Sequence, residues 1–261
     1  MFTSPIARVR LAALLLVPLA GAACQRDTSR ETPVTTTTPA GQSTAPPAAA
    51  VEERDNALVR VVNAMPATPA VDVFADDRQM FDDVTYKAVT PYHEVDGQRY
   101  RLDVRAANGT GTEPLASNSE GLDDGDHYTV FALPDDDGKA TLRVVKDDHS
   151  TPADGKARLR VVNGSPNGAE IALFVAGRKD AIADGVNAAG VTDYDELDPV
   201  TGTIELREEG QSRAVQTLRD VRMQAGRSYT VVVAGRSGAR PGLDAFVIED
   251  DTAAAPQRSA R

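Results

Sequence analysis

Residues 57–66 read ALVRVVNAMP, and one hundred positions later residues 157–166 read ARLRVVNGSP. Six of the ten positions are identical, and Val59 and Leu159 form a conservative seventh pair. The likeness continues in order. Residues 71–75 (VDVFA) match 171–175 (IALFV), 125–130 (GDHYTV) match 226–231 (GRSYTV), and 146–148 (KDD) match 249–251 (EDD). The offset grows from 100 to 101 to 103, as small loop insertions around 237–242 produce. A fixed order with a slowly drifting offset identifies two copies of one domain.

Within each copy the dominant period is two. Ala57, Val59 and Val61 alternate with Leu58, Arg60 and Val62; Tyr100, Leu102 and Val104 alternate with Arg99, Arg101, Asp103 and Arg105; Ile204 and Leu206 alternate with Glu205 and Arg207. Such alternation reads as half-buried strands with one wet face. Seven strands are expected in the first copy, near 58–62, 71–75, 84–95, 99–106, 114–118, 127–133 and 140–146. Turn signals separate them, among them Asp96-Gly97, Asn108-Gly109, Asp137-Gly138, Asn163-Gly164 and Asn167-Gly168. No helical stripe interrupts the pattern. Short strands with turns between them indicate an all-β fold, two tandem Ig-like antiparallel β-sandwiches over 57–148 and 157–251. Tyr128 and Tyr229 each follow a glycine by three residues and start an apolar strand, as at the tyrosine corner of such folds.

The N-terminus carries a different signal. Arg8 and Arg10 precede the apolar run LAALLLVPLAGAA at 11–23, which is shorter than the roughly 20 residues needed to span a bilayer. A basic start, a short apolar run and a small-residue exit match a secretory signal peptide. The run stops at Cys24, the single cysteine of the chain. Residues 1–24 resemble a bacterial lipoprotein signal, in which the cysteine is acylated and becomes the mature N-terminus; Gly21 stands where that pattern usually has Leu. The resemblance implies a lipid anchor at Cys24. Gln25 after it implies an outer rather than an inner membrane. With one cysteine no disulfide framework is possible.

Residues 24–56 are rich in Thr, Pro, Ala and charge and show no apolar periodicity, so they read as a disordered tether; 252–261 read as a disordered tail. Fully stretched, the tether reaches roughly 110 Å at about 3.5 Å per residue. The chain has 39 acidic residues against 28 basic ones, a formal charge of -11. That balance disfavours phosphate backbones, so nucleic acid is not an expected partner.

The stretch VRVVNAMPATPAVDVFADD, with Pro66, Pro69, Val71, Asp72 and Val73 carrying the motif, resembles the opening of a family of secreted bacterial domains called domain of unknown function 4397. The likeness spans 57–148. The second copy keeps the first strand and Pro166 but has Ala169-Glu170-Ile171-Ala172-Leu173 where the motif stands. The resemblance implies an envelope location and a β-sandwich, and no activity.

Chemistry-bearing residues form no recognisable constellation. His93, His127 and His149 have no second His or Cys at metal-ligand spacing, and no cofactor or metal is expected. Nucleophile elbows and phosphate loops are absent. Acidic clusters at 76–77, 82–83, 123–126 and 135–138 could supply calcium ligands but lack the spaced calcium-loop pattern, and Asp and Gly are ordinary turn residues. Asn108-Gly-Thr110 and Asn163-Gly-Ser165 match the glycosylation pattern and read as turns. Arg60 and Asp72 are expected on solvated outer faces, as a cross-strand surface pair.

Together these readings predict a non-enzymatic envelope lipoprotein that displays two interaction modules to a protein partner. The alternatives are a calcium- or small-ligand-binding module and, less favoured, a carboxylate-dependent hydrolase.

Overall fold

The computed structural model describes residues 56–250, apart from 69, 108–112, 136, 138, 167–169, 237 and 239. The leader, Cys24, the tether and the tail lie outside the described residues. The first sandwich contains β1 (Asn56–Asn63), β2 (Ala70–Ala75), β3 (Arg78–Thr85), β4 (His93–Asp96), β5 (Arg99–Ala106), β6 (Ala116–Gly121), β7 (His127–Pro134) and β8 (Ala140–Lys146). The second repeats the series as β9 (Ala157–Gly164), β10 (Ile171–Val175), β11 (Ala181–Val186), β12 (Asp195–Leu197), β13 (Val200–Glu208), β14 (Ala214–Met223), β15 (Ser228–Ala234) and β16 (Asp244–Glu249). The all-β expectation holds, and the described residues contain no helix.

Each sandwich has two four-stranded sheets. The orders are β4-β1-β7-β8 over β3-β2-β5-β6, and β12-β9-β15-β16 over β11-β10-β13-β14. Most pairs are antiparallel, but β1 runs parallel to β7 and β9 parallel to β15. The period-two residues do what their spacing requires. Val59, Val61, Val71, Val73, Leu102, Val104 and Val130 meet in one core; Leu159, Val161, Ile171, Leu173, Ile204, Leu206 and Val231 meet in the other.

The expected strand at 84–95 is instead the end of β3, a crossing segment and β4. Lys87 takes a positive φ of 66°, and Pro91 has no N–H to give a ladder. The chain there leaves the sheet of β2 and joins the sheet of β1, so β3 and β4 flank different partners. The same crossing recurs in the second copy, where Ala189 has φ 56°.

The expected wet face of β1 is not wet. Val62, Ala64, Phe131 and Leu133 point out of the first sandwich and are buried against Val162, Val232, Ala234 and Ile248 of the second. This third apolar cluster joins the two sandwiches face to face while leaving each its own core. It explains why both faces of β1 and β9 are buried along almost their whole length.

Candidate functional site

Two regions concentrate polar chemistry: the middle of the face between the sandwiches, and the end of that face where Pro66 and Pro166 lie. In the middle, Arg60 is 2% exposed, which overturns the expectation of a solvated surface residue. Its Nη2 reaches Asp250 Oδ1 at 2.5 Å, and its Nε donates to Thr129 Oγ1 at 2.8 Å. Asp147 Oδ2 accepts from Thr129 Oγ1 at 2.6 Å and from the Tyr92 hydroxyl at 2.9 Å. The second copy supplies the mirror set. Arg160 Nη2 donates to Asp147 Oδ1 at 2.8 Å and its Nε to Thr230 Oγ1 at 3.1 Å; Thr230 and the Tyr194 hydroxyl donate to Asp250 Oδ2 at 2.6 and 2.9 Å. Each arginine therefore pairs with the other sandwich's aspartate. Burial works against the Arg60 charge, but Asp147 and Asp250 outweigh it and hold the guanidinium in its charged form. Burial, with the nearby carboxylates, pushes the Tyr92 and Tyr194 hydroxyls up, so both remain neutral donors.

Asp72, the partner expected for Arg60, accepts the backbone N–H of Asp83 at 2.9 Å. It ties down a bulge at Asp83, whose φ is 48°. Two of the other acidic clusters also serve backbone geometry. Asp76 Oδ1 accepts from Arg101 N, and Asp135 Oδ1 accepts from Asp137 N and Lys139 N. Among the described residues no three His, Cys, Asp or Glu side chains converge as metal ligands do.

Asn163-Gly164 is not a turn. Asn163 closes β9, fully buried, with Nδ2 donating to Val186 O at 2.9 Å and Oδ1 accepting from Ser165 N at 3.2 Å. Asn63 does the same in the first copy, donating to Val84 O and accepting from Met65 N. These two amides turn the chain sharply out of β1 and β9 toward Pro66 and Pro166. There the ends of the two sandwiches form a cleft of about 260 Å³, whose lining includes Met65, Pro66, Pro134, Pro166, Arg236 and Asp137. The opposite end holds the entry to the first sandwich, the crossover between the two and the exit from the second. Gly125 N donates to Asn56 O, Asp147 N to His127 O, Gly226 N to Lys156 O, and Asp250 N to Ser228 O. Entry at Asn56, the crossover at 147–156 and the exit after Asp250 therefore share one end.

The tyrosine corners are formed as expected. Tyr128 and Tyr229 each accept, at 3.0 Å, a backbone N–H five residues upstream, from Asp123 and Gln224. The histidines part company. His93 packs edge-on to Phe81, whereas His127 and His149 come together against Tyr92. Sequence spacing gave no sign of that meeting, because His149 reaches it through the folded-back crossover.

The model of the family described as domain of unknown function (DUF4397) matches the chain twice, over residues 57–174 and 168–261. This chain belongs to the DUF4397 family. The two matches agree with the tandem sandwiches. Among solved structures, the C-terminal domain of AlgF from P. aeruginosa is similar at 25% identity, over 36% of this DUF4397 chain and 98% of that domain, with a TM-score of 0.30. No curated protein matches the chain.

Proposed function

We propose that this DUF4397 chain is a non-enzymatic lipoprotein of the cell envelope, anchored through acylated Cys24 in the outer membrane, and that it presents its two sandwiches as one protein-binding body. The observation that carries this reading is the separation of ends. Asn56, where the tether joins, lies with both other chain connections at one end, and the proline-lined cleft lies at the other. A tether pulling on Asn56 would turn the cleft away from the lipid surface. Loops at the end of a rigid sandwich are a common place for recognition, and a mostly apolar concavity with a few charged groups suits a protein segment.

The calcium reading has less support, since the carboxylates of Asp76 and Asp135 already accept backbone N–H groups. The intact mass of the mature protein extracted from membranes tests the anchor. A chain beginning at Cys24 and carrying fatty acyl groups is expected; an unmodified chain would remove the membrane role. A photo-crosslinker placed at Ala67, beside the cleft, is expected to capture an envelope protein that the same probe at Asp154, at the tether end, does not. Equal capture from both positions would count against the cleft.

A further inference from the structure

A groove of about 580 Å³ runs between β8 of the first sandwich and the crossing segment before β12 of the second. Four cations line it, Arg143, Lys146, Arg158 and Arg160, against two carboxylates, Asp148 and Asp193. This local positive excess stands in a chain whose formal charge is -11. The guanidinium groups are held in place by the fold. Arg158 and Arg160 both lie over the Tyr194 ring, at 4.7 and 4.6 Å from its centre. Arg158 Nη1 donates to Ser150 O at 2.6 Å, and its Nη2 donates to Asp148. Arg160 is buried; Asp147 takes its Nη2 and Thr230 its Nε, but Nη1 has no hydrogen-bond partner among the described residues. Arg143 is exposed, donates to Ala189 O at 2.7 Å, and pairs with no carboxylate among the described residues.

The duplication provides a second groove for comparison. Arg143 pairs with Phe131 and Lys146 with Tyr128, whereas Phe246 pairs with Val232 and Glu249 with Tyr229. Arg158 pairs with Ser228 where Leu58 pairs with His127. The positions of Arg143, Lys146 and Arg158 are therefore held in the other copy by Phe246, Glu249 and Leu58. The twin groove, beside Tyr92, sets Arg60 against Glu249. The shared scaffold thus forms without the three extra cations.

We infer that the groove between β8 and the second crossing segment binds a small ligand through a phosphate group. A guanidinium presents paired N–H donors that match phosphate oxygens. A doubly charged oxyanion also gains more from several cations than a carboxylate does. An oxyanion against Arg160 supplies the acceptor that its Nη1 lacks, which offsets the cost of a stranded buried donor. The acidic remainder of the chain repels long polyanions, so the ligand is free phosphate or a small phosphate ester.

The test is calorimetric titration of inorganic phosphate, and separately of glycerol 3-phosphate, into the full chain carrying Cys24→Ser, in a phosphate-free buffer of low ionic strength. One equivalent is expected to bind, more tightly than acetate and more weakly as salt is added. Tighter binding of the ester identifies an esterified ligand, and tighter binding of phosphate identifies the free ion. Arg143→Gln is expected to weaken binding by roughly tenfold, the loss of one charged hydrogen bond, with the ligand-free melting curve unchanged. Arg158→Leu, which installs the twin's residue, is expected to weaken it as well. Arg99→Gln removes an equal charge from β5, in the other sheet of the first sandwich, and is expected to leave binding unchanged. No saturable uptake of either probe at millimolar concentration, or equal losses from Arg143→Gln and Arg99→Gln, overturns the assignment.

Discussion

Arg60 and Asp250 stand 190 residues apart in the chain and 2.5 Å apart in the fold, both nearly sealed from water. A buried charge that loses its partner keeps its desolvation cost without the attraction that offset it. Asp250→Ala is therefore expected to destabilise the chain by about 3–5 kcal/mol in urea denaturation. The double change Arg60→Met, Asp250→Leu is expected to recover most of that loss. A single variant within 0.5 kcal/mol of the parent, taking about that value as ordinary surface noise, would mean that the pair is not buried in solution.

Gly164 faces the first sandwich so closely that an added Cβ would lie 2.4 Å from Leu133 Cδ2 and 3.0 Å from Val233 O. Gly164→Ala is expected to cost about 1–3 kcal/mol through overpacking. Because Leu133 is the nearest obstacle, Leu133→Ala in the same chain should cost less than the two single losses summed. Strict additivity, read from a double-mutant cycle, would place Gly164 away from Leu133.

Asn63 and Asn163 each satisfy one carbonyl and one N–H that the chain leaves unpaired as β1 and β9 end. Asn63→Ala and Asn163→Ala are each expected to cost about 1–3 kcal/mol, the penalty of stranded buried polar groups. Chemical denaturation of the two variants should give similar losses. An exposed turn asparagine at 163 would instead change stability by less than about 0.5 kcal/mol.

Acid should weaken the fold through Asp103. Burial raises its carboxyl, but hydrogen bonds from Ser117, Arg105 and Arg101 outweigh that and hold it below its ordinary value of 3.8. The unfolded chain then takes up the proton first as pH falls. The stabilisation is full above about pH 3.8 and is lost as pH drops through the lower folded value. His93 adds to the same slope at higher pH: burial, with Arg78, lowers its pKa from 6.5, so below that value the unfolded state gains protons that the fold resists. Asp103→Asn should flatten the dependence below the ordinary carboxyl value of 3.8, and His93→Gln that below the ordinary imidazole value of 6.5, in urea midpoints measured across the acid range. Unchanged profiles would contradict these assignments.

The sequence by itself determined the duplication, the all-β class, the strands at Asn56–Asn63, Arg99–Ala106, His127–Pro134 and Ala140–Lys146, and both tyrosine corners. It could do so because strand alternation and turn chemistry are local. What it could not reveal was what covers an outward face. Arg60 and Val62 read as the exposed side of a sheet until the second sandwich is laid on them. The period of a strand states which side chains share a face, whereas burial depends on what lies opposite, and Asp250 or Val232 is brought there only by the docking of the two copies. The same holds for His127 and His149: their meeting is set by the return path of the crossover against β7, which is a property of the folded chain and not of their spacing.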